Sequence, residues 1–284
     1  MPLISVVIPT FDRAWCILRA LDSVLGQTYR DFEVWIVDDG SSDPTEELVR
    51  QRAAEERQIV IHYEKTPNRG VAAARNLGIQ RSGGEWIALL DSDDEWMPEK
   101  LEKQVSYMQR NPGISLIHTG EKWIRNGIRV NAPKSYKKFG GEVFVSCLPV
   151  CMIGPSTAVF KKDLIENIGG FDEEYPVCED YDFWLRVTAR YKAGLIDEAL
   201  TVKYGGHHDQ LSTTHVAMDY WRIRSMSRLL SDTRLSPPRQ EAILRELRRK
   251  GRILLKGYIK HGRNEDYREL LSLIRQVDES FTPD

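Results

Sequence analysis

Apolar positions along the first hundred residues recur in two alternating rhythms. A β-branched run at 4–8, ended by Pro9, predicts a buried strand, and 13–25 then carries Ile17, Leu18, Leu21, Val24 and Leu25 at helical spacing. A second strand is predicted at 32–37. Ser41 and Ser42 follow as candidate caps ahead of Pro44 and a helix over 45–57. The spacing then predicts a strand at 59–63, a helix at 70–80 and a fourth strand at 85–90, which runs straight into Asp91, Ser92, Asp93 and Asp94.

Strands and helices alternating at this interval imply right-handed βαβ crossovers and a mainly parallel sheet, so the fold class is α/β. Ligands of such sheets sit beyond the carboxyl ends of the strands. Three of the predicted strands end in polar clusters: Pro9-Thr10-Phe11-Asp12, Asp38-Asp39-Gly40-Ser41 and Asp91-Ser92-Asp93-Asp94. Their coincidence locates a site.

Farther along, the pattern predicts helices at 98–110, 162–168 and 179–191 and strands at 114–118 and 156–160. The stretch 121–144 is turn-rich and reads as a hairpin or a mobile loop. In the helix at 179–191, Trp184, Leu185 and Thr188 share the face turned to the sheet. From about His215 the character is helical only. Over 240–262, Ile243, Leu244, Leu247, Leu254, Leu255, Tyr258 and Ile259 lie on one side and many Lys and Arg on the other. The domain division that follows is 1–214, with a nucleotide-binding half at 1–98 and an acceptor-binding half at 99–214, then a helical extension at 215–284.

The chain's 284 residues have room for one large α/β domain and an appendage. Hydrophobic and charged shares of 41% and 29% exclude a disordered or fibrous class. With 40 basic and 42 acidic side chains, the net charge of -2 gives no global reason to expect a nucleic-acid partner. No apolar run approaches the roughly 18 residues that span a bilayer, and the opening MPLISVVIPTFDR lacks the layout of a signal peptide, so the expected location is cytoplasmic.

One local imbalance stands out. Residues 239–263 hold nine Lys and Arg against Glu241 and Glu246, a charge of +7. That stripe is either the solvated face of a packing helix or a surface resting on anionic lipid at the inner membrane face. Cys16, Cys147, Cys151 and Cys178 are too few and scattered for a disulfide framework. Cys147 and Cys151 have ligand-like spacing, but no second pair of soft ligands accompanies them.

The candidate chemistry lies in the polar clusters. Asp91 and Asp93, at i and i+2 on a chain leaving a strand, can converge on a hard cation such as Mg²⁺ or Mn²⁺, which takes oxygen ligands and keeps positions open for phosphate. A solvated acidic turn is the structural alternative. Asp38 and Asp39 stand where acidic residues read ribose hydroxyls in nucleotide folds, or where Asx-turns form.

Taken together, several segments resemble the family 2 glycosyltransferases, whose fold is of the GT-A type. They are Ser5-Val6-Val7-Ile8-Pro9-Thr10-Phe11-Asp12-Arg13, Val37-Asp38-Asp39-Gly40-Ser41, Asn68-Arg69-Gly70-Val71-Ala72-Ala73-Ala74-Arg75-Asn76, Leu90-Asp91-Ser92-Asp93-Asp94, Gly169-Gly170-Phe171-Asp172-Glu173 and Glu179-Asp180-Tyr181-Asp182. The resemblance covers 3–212, in order and at family-like spacing. It implies an inverting transfer of a sugar from a nucleotide-sugar, a UDP-sugar above all, to a hydroxyl of a saccharide or lipid-linked acceptor, in surface polysaccharide or glycolipid assembly.

Position by position, the resemblance implies that Pro9, Thr10, Phe11 and Asp12 line the nucleotide pocket, with Phe11 against the base. Asp39 would hold the uracil with Asp38 in support, and Arg75 would lie near the donor. Ser92 belongs to the same cluster. Asp93 would ligate Mn²⁺ or Mg²⁺ directly, with Asp91 shared between metal and ribose. His207 matches the family's histidine of the Tyr204–Ser212 segment, although Gly205 stands where a basic residue is usual. Asp180 would be the catalytic base, its alternative being a helix cap. Of the tryptophans, Trp96 is the one nominated as an acceptor contact.

Two other functions fit parts of the pattern. A sugar nucleotidyltransferase usually has a Gly-rich basic N-terminal loop, whereas 9–14 here has a lone Arg13 and no glycine. A catalytically silent nucleotide-sugar binding protein has no need of Asp39, Asp91, Asp93 and Asp180 together.

Overall fold

The run predicted at 4–8 forms β1 (Ile4–Thr10), buried along its length. Its pleat sends Ile4, Val6 and Ile8 into one apolar layer with Ile17 and Leu21, and Val7 into the opposite layer with Ile79 and Leu89. A computed structural model describes residues 2–133, 136–207 and 217–283. The first half continues through α1 (Ile17–Leu25), β2 (Phe32–Asp38), α2 (Thr45–Glu55), β3 (Ile61–Lys65), α3 (Val71–Arg81), β4 (Trp86–Leu89), β5 (Glu95–Trp96) and α4 (Lys100–Arg110). The second half has β6 (Leu116–Arg125), β7 (Ile128–Val130), α5 (Phe144–Cys147), β8 (Val159–Lys161), α6 (Leu164–Ile168), α7 (Glu179–Thr188) and β9 (Gly194–Gly205). Helices α8 (Met218–Leu230), α9 (Pro237–Lys260) and α10 (Asn264–Arg275) follow.

The sheet order is β3-β2-β1-β4-β8-β6-β9-β5, with β7 paired to β6. Strands β1 to β4 are mutually parallel, as predicted. Because β2 lies on one side of β1 and β4 on the other, the chain reverses its order between β1 and β4. Their carboxyl ends open a crevice there, the usual ligand position in open α/β sheets. β8 enters antiparallel between β4 and β6, and β6 and β9 run parallel to each other.

Several local expectations change. β6 is ten residues long, and the turn at Asn126-Gly127, with φ of 49° and 75°, closes it onto β7. The hairpin alternative for 121–144 therefore holds for its first part. The twelve-residue β9 was not predicted, because Asp197 and Glu198 interrupt its apolar alternation where the pairing with β6 is irregular at Thr119 to Glu121. The predicted strand at 156–160 begins instead as a 3-10 turn at Pro155–Thr157. Ser41 and Ser42 do not cap α2. Asp43 accepts the Thr45 N–H at 3.0 Å, while Ser41 Oγ accepts the Asp12 N–H at 2.8 Å.

The helical extension shares an apolar core with the α/β domain: Ile223, Leu247, Ile274 and Phe281 belong to the cluster that contains Leu89, Phe160 and Trp184. The 214/215 division lies outside the described residues. Six of the nine cations over 239–263 are ion-paired, Arg239 to Glu142, Arg245 to Glu241, Arg248 to Asp278, Arg249 to Glu246, Lys250 to Asp219 and Arg263 to Asp266. No helix among the described residues is long and apolar enough to cross a membrane.

α3 approaches the sheet closely because Gly78 faces Val7, and a methyl there would collide with the Val7 side chain. A helix-interior Gly→Ala change ordinarily stabilises by about 1 kcal/mol, but overpacking costs about 1–3 kcal/mol. Gly78→Ala should therefore lower the urea midpoint; a raised midpoint would show that α3 is not seated as described.

Candidate active site

The crevice beyond β1 and β4 is a cavity of about 850 Å³. Of the predicted site residues, Pro9, Thr10, Phe11, Asp12, Asp39, Arg75, Asp91, Ser92, Asp93, Asp180 and His207 line it. Asp38 does not. It is fully buried, accepts the Ser41 N–H at 2.7 Å and takes the Tyr63 hydroxyl, so it shapes the turn after β2. A second hollow of about 780 Å³, lined by Thr66, Leu77 and Phe171 among others, contains none of the predicted site residues.

One wall is built from the strand ends. Asp12, in the left-handed region at φ 49°, accepts the Ser42 N–H at 2.7 Å. The Asp39 oxygens accept Arg69 N–H and Gly70 N–H, both at 2.8 Å, fastening the turn that begins α3. Phe11 is 44% exposed, and Thr10 Oγ1 beside it is buried without a hydrogen-bond partner among the described residues. An apolar platform next to an unspent hydroxyl suits a nucleoside.

The floor is acidic, and its carboxylates have diverged. Asp94 turns inward, accepting Ser156 Oγ at 2.6 Å and Tyr204 N–H at 3.1 Å, and burial followed by the charge of Asp93 raises its pKa well above the usual range. Asp93 meets His207 Nε2 at 2.8 Å; burial opposes its ionisation, but His207 and Arg13 outweigh burial and lower its pKa. Asp91 accepts Arg75 Nη2 at 2.7 Å. Among the described residues no group of three or more His, Cys, Asp or Glu side chains forms a metal cluster. The Asp93–His207 pair nonetheless fits Mn²⁺ or Mg²⁺, because such ions complete their coordination with water and substrate phosphate.

Arg75 is not free for a phosphate, as the sequence suggested. It is buried, with Nη2 on Asp91 and Nη1 on Glu179 Oε1 at 2.5 Å. Burial would lower its pKa, but Asp91 and Glu179 raise it. Burial and then Asp180 raise the pKa of Glu179, although Arg75 pulls it down. These directions oppose each other across one contact. The guanidinium stays protonated, while burial pushes the Glu179 carboxyl up to about 7.

Asp180, in the first turn of α7, lines the same cavity. α7 has no side-chain cap. Asp180 Oδ1 accepts the N–H of Tyr181 at 2.7 Å, and Oδ2 accepts the Cys151 thiol at 3.2 Å. Burial first and Asp180 second raise the Cys151 pKa well above the ordinary thiol value, so it remains a donor.

The sequence reading missed Cys151, Lys203, Trp123 and Trp15, which all line the cavity. Trp15 is 54% exposed, its ring centroid 5.5 Å from that of His207. A bulky aromatic directly after the 9–13 motif was the available signal. Trp96, nominated as an acceptor contact, is 2% exposed and donates to Ser156 O at 2.7 Å, so it belongs to the core. His207 is described, whereas 208–212 of its segment lie outside the described residues.

A parallel-strand half joined to a mixed-sheet half, with the cleft at their junction, is the architecture of the GT-A glycosyltransferases. The chain belongs to glycosyl transferase family 2, whose family model matches residues 5–169. Asp180 and His207 lie beyond that match. An uncharacterized glycosyltransferase of Methanocaldococcus jannaschii is 31% identical over 214 residues, covering 72% of this chain and 70% of the relative. One of Rickettsia felis is 35% identical over 199 residues, covering 70% of this chain but 32% of the relative. The chain thus spans about a third of the length of such Rickettsia relatives.

Among solved structures, S. aureus TarS in complex with UDP-GlcNAc superposes at a TM-score of 0.78 and 20% identity, covering 97% of this chain and 82% of that one. The mannosyltransferase PcManGT of Pyrobaculum calidifontis, in complex with GDP-Man and Mn²⁺, does so at 0.64 and 20%, covering 91% and 75%. At this identity the likeness concerns the fold.

Arg75→Met leaves Glu179 buried without its counter-ion, which should cost about 3–5 kcal/mol. The raised Glu179 pKa means that the native state keeps a proton the unfolded chain has lost, so stability falls as pH rises from the ordinary glutamate value through the raised one. The deficit should be smaller at about pH 5 than at about pH 8 in urea titrations; a pH-independent deficit would contradict the pairing.

Proposed function

We propose that this glycosyltransferase is an inverting, metal-dependent enzyme that moves a sugar from a UDP-sugar to a hydroxyl of a saccharide or lipid-linked acceptor. The observation that carries the reading is that Asp180 lines the same cavity as the Asp93–His207 pair, Thr10 and Phe11. In a single displacement the acceptor oxygen attacks from the face opposite the leaving diphosphate, so one carboxylate must take the hydroxyl proton there. Asp180 is that base.

Phe11 and Thr10 bind the nucleoside, and Asp39 accepts the uracil N–H with lone pairs its backbone donors leave free. Asp93 and His207 hold Mn²⁺ or Mg²⁺, with Asp91 alongside. Such an ion, when bound, supplies charge neutralisation for the leaving diphosphate. The nucleotide-sugars in the TarS and PcManGT complexes support this class of donor. A nucleotidyltransferase is disfavoured because the loop after β1 offers no glycine to a triphosphate. A silent binder would have no use for a base in the cleft.

The C-terminal helices are assigned a packing role, with most of their charge spent on ion pairs. Lipid contact would rest on the cations without such a pair, Arg252, Lys256 and Lys260, beside exposed Ile253 and Ile259. Surface glycan or glycolipid assembly at the cytoplasmic face fits this class of donor and acceptor.

Calorimetry should show UDP binding strengthened by Mn²⁺, and Asp93→Ala should lose the metal-dependent part while keeping the fold. Equal metal dependence in the variant would remove Asp93 from the site. Asp180→Asn should keep UDP affinity and reduce UDP release from a donor by about 10²–10⁴-fold; undiminished turnover would remove Asp180 from the mechanism.

A further inference from the structure

Lys203 is a cleft residue that the proposed reaction does not use. It lies on β9 opposite Trp123 of β6, one residue before Tyr204, whose N–H is fixed on Asp94. Val202 and Thr201 beside it are buried, while Lys203 lines the cavity. Among the described residues no hydrogen bond or ion pair reaches its ammonium, and this distinguishes it from Arg75 and Arg222. Arg75 is held by two carboxylates, and Arg222, which also lines the cavity, donates to Asp219 at 2.8 Å.

The carboxylates near Lys203 have other donors. Asp94 is taken by Ser156 and Tyr204, Glu121 by Lys138 at 3.1 Å and Trp123 Nε1 at 2.6 Å, Asp91 by Arg75, and Asp180 by Cys151 and Tyr181. They act on Lys203 through space. Burial would lower its pKa, but Asp94, Glu121, Asp91 and Asp180 outweigh burial and raise it, so it stays protonated.

A largely desolvated ammonium with idle N–H groups is costly, and a ligand that offers acceptor oxygens recovers the cost. Four surrounding carboxylates make the locality unfavourable for an anion. They leave neutral hydroxyl oxygens as the suitable partner. Lys203 lines the same cavity as Asp91 and the proposed base Asp180, and both act on it through space.

We propose that Lys203 hydrogen-bonds hydroxyls of the donor's transferred sugar and contributes to the choice of that sugar. This rests on the cleft being a nucleotide-sugar site. The sugar it selects is uncharged.

The test is calorimetry with Mn²⁺, titrating wild type, Lys203→Met and Lys203→Arg with UDP, UDP-glucose, UDP-galactose, UDP-N-acetylglucosamine and UDP-glucuronate. Methionine keeps the stem and removes the charge, so a folded variant is expected, and melting curves check it. Lys203→Met should leave UDP affinity within about twofold and weaken at least one neutral UDP-sugar about tenfold, the size of one charge-assisted hydrogen bond. Lys203→Arg should recover part of that loss. Equal weakening of UDP and every UDP-sugar, or no weakening of any, overturns the assignment, and a loss confined to UDP-glucuronate overturns the preference for an uncharged sugar. A wild-type protein that does not bind UDP refutes the nucleotide-sugar reading of the cleft, and this proposal with it.

Discussion

A single buried guanidinium joins the two halves of this protein. Arg75, carried on α3, takes Asp91 from the end of β4 with one nitrogen and Glu179 from the start of α7 with another. Because the fork is planar and rigid, the two carboxylates cannot shift independently. Asp93 lies two residues from one partner and Asp180 one residue from the other, so the contact holds the proposed diphosphate end and the proposed base in register. Buried ion pairs seldom add much net stability. Here the pair sets geometry, and burial first, with Asp180 adding to it, raises the pKa of Glu179.

Much of this arrangement was legible in the residues. The first four strands and the crevice beyond their ends followed from period-two runs that alternate with helical ones. Of the eleven predicted site residues that line the cavity, eight sit in the polar clusters after β1, β2 and β4, where open α/β sheets place their ligands. What escaped the reading depended on pairing rather than on local pattern. β9 is invisible where Asp197 and Glu198 break its alternation, and with it went the facing of Lys203. Trp96 looked available because it follows the acidic cluster, but the two-residue β5 turns it into the core.

Individual acids show the same limit. Nothing in Asp38-Asp39 or Asp91-Ser92-Asp93-Asp94 says which carboxylate points inward. Asp38 and Asp94 are consumed by the turn and the strand they support. The basic tail was a matter of partners too. Its local charge of +7 becomes a lattice of ion pairs once Glu142, Asp219, Asp266 and Asp278 come near.

In the proposed reaction a divalent ion and a diphosphate gather at Asp93 and His207, in the cleft that Asp180 also lines. Anomalous diffraction from crystals grown with UDP and Mn²⁺ tests it most directly. The account predicts a manganese peak within coordination distance of both side chains and of the diphosphate oxygens. A peak elsewhere, or a UDP lying outside the cleft between Phe11 and Asp180, would contradict it.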